Sequence, residues 1–415
     1  MVTGKDLAQA CRDFLPEWTR WPNWILCELA IGACDLAEVL GSAVAINLLF
    51  GIPLFWAVVI TAFDVLLLLA LQGLGMRFIE ALVVVLVATI GGCYAVEIFV
   101  LPRTTPDFPE MGRAILSPGF RQSGMVLGAI GIIGATVMPH NLYLHSALVQ
   151  SRRFHSDDAS RRRAIRFNTI DTVAALSVAF LVNAAILVLA ATTFHGKDGV
   201  RLPGGGAVAF DEGTNTYRDA GTGDPVAVYD EATKSCVDPA TGEKLPDAKF
   251  TQFNKDPDWI RVAYLTLAPL LGAALASTLF AVALLASGQS STITGTLAGQ
   301  VVMEGFMRWR IKPWVRRLVT RLLAVIPAIL VIGVKGDASV TDLLVLSQVV
   351  LAMQLPFAML PLLYFTSSAK WMGPYRNGLF LLLAGWTSCL LIIALDFYRM
   401  PDALEKAWAV ITGTS

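Results

Sequence analysis

Charge is what this chain has little of: Asp, Glu, Lys and Arg together supply 15% of its 415 residues. A soluble globular domain carries about a quarter, so the surface of a water-soluble protein of this length is excluded. Net charge is missing too, because 32 basic and 32 acidic residues cancel. With a pI near 6.9, bulk electrostatics draw in neither nucleic acid nor acidic partners. Histidine is rare, with four in all. His140 and His145 stand five apart with no glutamate between them, which excludes the His-Glu-x-x-His pattern of a zinc protease, and His155 and His195 fall in loops on opposite sides. The six cysteines show no finger or redox spacing. Most read as small apolar residues within spans, while Cys236 alone is placed in an exposed outer loop. Met1 to Arg20 lacks the basic start and apolar core of a signal peptide and reads as a cytoplasmic amphipathic surface helix.

What the chain does have is apolar length. Hydrophobic residues make up 55% of it and the mean hydropathy is +0.62. Stretches long enough to cross a bilayer run Trp24 to Leu49, Pro53 to Leu74, Ile79 to Leu101, Met125 to Val149, Thr172 to Phe194, Ile260 to Ala286, Leu318 to Val334, Leu343 to Phe365 and Gly378 to Leu395. Nine such spans predict an all-α polytopic membrane protein. Basic residues then fall on alternate loops: Arg77 after the second span, Arg152 to Arg166 after the fourth, Arg308 to Arg317 after the sixth, Lys370 and Arg376 after the eighth. The positive-inside rule makes that face cytoplasmic, with the amino terminus inside and the carboxyl terminus outside. At that position Arg161, Arg162, Arg163 and Arg166 read as a topology signal rather than a nucleic-acid patch.

The spans divide the chain into a cytoplasmic segment 1–20, a membrane group 21–194, an outer loop 195–258, a second membrane group 259–397 and a tail 398–415. The outer loop is rich in Gly, Pro and Asp. Its Thr216-Tyr217, Val226 to Tyr229 and Cys236-Val237 pieces suggest short hairpins. Its acidic excess either gathers cations at an entrance or is a solvated, neutral insertion.

The fourth span carries its own interruption. Pro139 has no backbone donor and clashes with the preceding turn, so the helix opens around Ala135 to Met138. In hydrocarbon the freed carbonyls need protein, cavity water or a cation as partner. The Met138 thioether favours soft or borderline transition metals over magnesium and calcium; a proline-kinked helix with Met138 as core filler fits the same letters. Glu28, Asp35 and Glu38 occupy positions 0, 7 and 10 of one helix, within roughly 80° of each other. Carboxylates on one face inside a span form either a proton route or structural ion pairs with arginines such as Arg316 and Arg317. His140, on the break, reads as a pathway and gating residue, and His145 as structural. Small residues at Gly288, Ser291, Gly295 and Gly299 indicate close helix packing; with no Lys after them and no strand before, they make no phosphate cradle.

Three strings also carry a resemblance. Met138 to Ser146 resembles the signature of the sixth membrane helix of the Nramp family, the proton-coupled manganese and iron transporters. Glu28 to Glu38 is similar to the family's third helix, and Gly288 to Gln300 to its transport motif after the eighth. The resemblance covers nearly the whole chain. It implies a LeuT-type (APC superfamily) fold of two inverted five-helix repeats with broken first and sixth helices. It implies no enzymatic activity and no cofactor, manganese or iron being transported substrate; divalent ions, protons and the lipid bilayer are the partners, in a plasma (bacterial inner) membrane. Met138 and Ala135 match family ligand positions, Ala135 through its carbonyl. Gln348 aligns with a tenth-helix glutamine that reaches the ion in some conformations, and a hydrogen bond between helices is its other reading. The family's third helix forms a proton route, which favours a relay through Glu28, Asp35 and Glu38 with His140, Arg316 and Arg317 beside it. Arg152 resembles a position that pairs with acidic residues during the cycle.

Two membrane helices precede that third helix in the family, the first carrying an Asp-Pro-Gly-Asn break with ligands opposite the methionine. No such string occurs here, and the first eight residues resemble the loop after the second helix. The chain is therefore expected to begin partway through the fold, from a late-assigned start, a split or degenerate gene, or a remnant with another role. Three functions follow: manganese or iron transport, a transport-inactive partner or sensor subunit, or a carrier of magnesium or an organic cation. Met138 argues against magnesium.

Overall fold

The structure, a computed structural model, describes residues 2–63, 76–100, 109, 111–113, 125–151, 157–194, 199–201, 208–211, 214–219, 222–230, 235–245, 250–252, 275–335 and 339–412. Asp6 starts the first helix, α1 (Leu7–Phe14), with a reciprocal cap. Its carboxylate accepts from the Gln9 amide at 2.8 Å while the Gln9 side chain accepts from the Asp6 amide at 3.4 Å. After a 3-10 turn at Glu17–Thr19, α2 runs Arg20–Phe50, roughly 46 Å of helix at 1.5 Å per residue. Gly51 ends it in the left-handed conformation at φ 68°, its amide donating to the Asn47 carbonyl at 2.8 Å. Pro53 then leads into α3 (Leu54–Thr61). Further on come α4 (Met76–Phe99), α5 (Met125–Thr136), α6 (Pro139–Leu148), α7 (Asp158–Phe194), α8 (Leu275–Met307), α9 (Pro313–Lys335), α10 (Ser339–Ser367), the single turn α11 (Ala369–Met372) and α12 (Leu379–Thr412).

Seven helices among the described residues are long and apolar enough to cross a membrane. Nine spans were expected. Of the other two, the second is described only to residue 63, and the fourth is divided into α5 and α6, neither of spanning length. The centre of the assembly is α2, against which α3, α8, α9 and α10 pack; α8 also lies along α4, and α10 along α5 and α12. Val39, Leu40 and Ala43 meet Leu54, Ala57, Ala324, Ala328 and Leu343 in one core. A second joins Leu7, Ala8 and Cys11 to Tyr143, Phe306 and Phe365, and a third holds Ile90, Tyr94, Leu189 and Ala283. Outside these cores, α7 exposes Val173, Leu176, Phe180 and Leu181, and α12 exposes Phe380, Leu381, Leu390 and Leu391. Such apolar faces suit lipid and would be untenable in water.

The described residues between 199 and 252 form strands. β2 (Val208–Asp211), β3 (Thr216–Asp219), β4 (Pro225–Asp230) and β5 (Ser235–Val237) build an antiparallel sheet in that order, and β1 (Gly199–Arg201) pairs with β6 (Phe250–Gln252). Cys236, placed in an exposed loop from sequence, is instead buried with Tyr217, Ala227 and Tyr229 in the small core of that sheet. Strand alternation turns these side chains to one covered face.

The amphipathic start does not lie loose. The α1 Leu7 amide donates to the Ser146 hydroxyl of α6 at 2.9 Å, and Arg12 and Arg20 donate to the Gly305 and Phe306 carbonyls at 2.5 and 2.7 Å. Two open carbonyls at the end of α8 are satisfied in this way. A Cβ at Gly305 would stand 2.4 Å from the Ala8 Cβ, so α1 sits directly on α8. The hydrogen bond from Arg12, with a second from Lys5, holds the Asp13 carboxyl well below its ordinary value of 3.8. A depressed carboxyl stabilises fully above that value and loses its contribution as the pH falls through the lowered one. Gly305→Val should release α1 at a cost of about 1–3 kcal/mol, read as faster amide exchange in residues 7–14 with α8 unchanged. In the native chain the same residues should lose protection on acidification below about pH 4, and Asp13→Asn should remove that acid-dependent loss.

Candidate functional site

The break forms where the sequence interrupts hydrogen bonding. Val137 still donates to the Ile133 carbonyl at 2.8 Å, but Met138 is extended, at φ −71° and ψ 116°, and Pro139 opens α6 at its first position. The Asn141 amide turns to the Met138 carbonyl at 3.0 Å, and Pro139 has no N–H for the Ala135 carbonyl. Just before the break, α5 presses against α10. A Cβ on Gly134 would stand 2.2 Å from the Gln348 carbonyl oxygen and 3.1 Å from the Ala352 amide.

Met138 turns inward. Its side chain packs on Ala30, Cys34 and Leu351 between α2 and α10, with Sδ 3.8 Å from the Cys34 Sγ. Gln348 reaches the same neighbourhood through its backbone, while its Nε2 donates to the Ser347 hydroxyl at 3.2 Å. Ala135 is exposed at the end of α5. His140 is buried on α6, its Nδ1 without a hydrogen-bond partner among the described residues, and His145 is exposed. Among the described residues no group of three His, Cys, Asp or Glu could hold a metal ion. The break offers sulfur and peptide oxygen instead.

Across α2 from the break stand the carboxylates, and each meets an arginine of α9. Arg316 donates through Nη2 to both Glu28 oxygens, at 3.0 and 2.8 Å, and Trp24 Nε1 adds a bond to Glu28 at 3.0 Å. Arg317 bonds Asp35 at 2.5 Å and lies 3.7 Å from Glu38, with both pairs almost wholly buried. Glu38 also accepts from the Thr292 hydroxyl at 3.1 Å and from the Cys34 thiol at 3.4 Å. Pairing is what burial of these charges requires. Gly299 of α8 makes room for it, since a Cβ there would stand 2.4 Å from the Arg316 guanidinium; at Gly288, where α8 meets α2, a Cβ would stand 2.1 Å from the Ser42 hydroxyl.

The structure thus brings Glu28, Asp35, Glu38, Arg316 and Arg317 into one network and Met138 and Gln348 to one helix contact, while Arg152 lies outside the described residues. Sequence reasoning passed over Thr292, Cys34 and Arg321. Arg321, one turn after Arg317, is buried and donates twice to the Thr61 carbonyl at the end of α3, at 3.0 and 3.2 Å. Its spacing of four from Arg317 was the available signal.

A bundle of spanning helices with one broken span and buried, paired charge defines an integral membrane protein of the secondary-transporter kind. A family profile described as natural resistance-associated macrophage protein-like matches residues 1–205 and 248–400, and the chain belongs to that family, Nramp. The unmatched interval holds β2 to β5. The chain is 44% identical over 409 residues to the divalent metal cation transporter MntH of a Nostoc species, with 97% of this chain and 79% of the relative covered. It is 42% identical over 402 residues to MntH of Listeria innocua, covering 96% and 77%. Crystal structures of the Eremococcus coleocola manganese transporter superpose with a TM-score of 0.74 at 34% identity, covering 99% of this chain and 80% of theirs.

Losing Arg317 should cost more than losing Arg316. Arg317→Gln strands two buried carboxylates, a loss of about 3–5 kcal/mol, whereas the Glu28 side chain is 23% exposed and rehydrates. Thermal melting of the purified variants checks this ranking, and equal losses would contradict it. Gly299→Val should reproduce the Arg316→Gln loss by displacing the same guanidinium.

Proposed function

We propose that this chain carries divalent transition-metal ions, manganese or iron, across the plasma membrane together with protons. The observation that carries the reading is the open turn at Met138, whose thioether faces the protein interior one helix away from a buried carboxylate and arginine network. Relatives named divalent metal cation transporter and manganese transporter support the cargo class. Transport, rather than catalysis, is what such a site performs.

In this reading Met138 through sulfur, Ala135 through its carbonyl and Gln348 through its side chain receive the ion. A thioether adds affinity for borderline transition metals and little for calcium or magnesium, which take oxygen ligands. Glu28, Asp35 and Glu38 form the proton route, with His140 at its border and Arg152, Arg316 and Arg317 as charge partners. Arg317 stands between two carboxylates. A proton arriving on Asp35 cancels one charge and frees the guanidinium to turn fully to Glu38, so ion pairing and relay are two states of the same side chains. Magnesium and organic cations fit this site less well, since neither draws on sulfur.

Reconstitution into proteoliposomes tests the reading. Manganese uptake should accelerate with an inward proton gradient, and Met138→Ala should lose about tenfold of the discrimination between manganese and calcium. Uptake indifferent to the gradient would remove the proton route, and unchanged discrimination would remove the thioether.

A further inference from the structure

The Cys34 thiol takes no part in the proposed ion site or proton route, although it touches both Met138 and Glu38. On α2 it stands about 100° around the helix from Asp35 and about 40° from Glu38, one turn on, at the edge of the charged face. It is 3% exposed. Its Sγ lies 3.8 Å from Met138 Sδ and 3.4 Å from Glu38 Oε1. With bonds of roughly 2.3 Å to sulfur and roughly 2.1 Å to carboxylate oxygen, two sulfurs on one tetrahedral ion stand roughly 3.8 Å apart and a sulfur and an oxygen roughly 3.6 Å. The separations around Cys34 match those tetrahedral edges to within about 0.2 Å. The thiol is therefore already at ligand spacing from both the thioether and the carboxylate.

We propose that Cys34 is a second sulfur ligand for the transported ion and a determinant of specificity, shifting the site from manganese toward thiophilic divalent ions of the zinc and cadmium type. The inference rests on the transport reading of Met138 and names the substrate class of that same site. Cys34 ligates as the thiolate and gives up its proton on doing so. Manganese prefers carboxylate, carbonyl and water, so a second sulfur adds little to its binding and much to that of a softer ion. Serine at this position would keep a hydrogen bond to Glu38 and lose the soft donor.

Cadmium chloride and manganese chloride titrated into the purified full chain provide the test, read by calorimetry, by the ultraviolet charge-transfer absorption of cadmium thiolate, and by X-ray absorption at one equivalent of cadmium. The wild type should show the thiolate band and two sulfur neighbours. Cys34→Ser should lose the band, keep one sulfur neighbour and bind cadmium at least about tenfold more weakly, with manganese affinity changed less than about twofold. Should that variant not fold, Cys34→Ala takes its place, and the wild-type sulfur count decides by itself. Fewer than two sulfur neighbours in the wild type, absence of cadmium binding, or an unchanged band and affinity in the variant overturns the proposal. Met138→Ala separates the two readings: if it leaves metal binding and discrimination intact, the role of Met138 fails whatever Cys34 does, whereas a loss there with no effect at Cys34 removes the second sulfur alone.

Discussion

Three arginines buried on α9 determine much of what surrounds them. A guanidinium in an apolar bundle needs a carboxylate or a carbonyl beside it, because water is not there to solvate its charge. Arg316 is met by Glu28, Arg317 by Asp35 with Glu38 close by, and Arg321 by the Thr61 carbonyl. Those partners set the rotation of α2 against α9 and pin the end of α3. They also require α8 to come close, which is why the residue beside the Arg316 guanidinium is Gly299 and the one beside Ser42 is Gly288. A larger residue at Gly299 would force the Arg316 charge away from its partner, and one at Gly288 would displace the Ser42 hydroxyl.

The same helix that meets the arginines reaches the break on its other flank. Ala30 and Cys34 of α2 face Met138, while Glu28, Asp35 and Glu38 face α9. Cys34 touches both sets through Glu38 and Met138. Met138, at the cap of the half-helix α6, and Glu38 of the charged network thus meet on one thiol.

The sequence disclosed a good part of this. Apolar length anticipated seven spanning helices, although the sixth expected span, Ile260 to Ala286, is observed as Leu275–Met307; proline placement located the opening at Met138, because a missing donor is a local property. Periodicity placed the three carboxylates on one face, since 100° per residue is also local. It did not say which arginine meets which carboxylate. Glu28 and Arg316 are separated by 288 positions, and periodicity describes a face without naming what covers it. Cys34 read as filler for the same reason: its partners are a methionine from α6's cap and a carboxylate one turn away. Cys236 read as exposed because its segment is polar, whereas strand pairing folded that segment over it.

By itself, then, the sequence determined the membrane-spanning class, the site of helix interruption and the supply of charges, all consequences of short-range chemistry along one chain. Only tertiary structure decided that Arg317 stands between Asp35 and Glu38, that Met138 points inward, and that a thiol joins the two. The reason is energetic: in an environment without water each buried polar group takes the partner that the packing of helices brings within reach, and that packing is a property of the whole bundle.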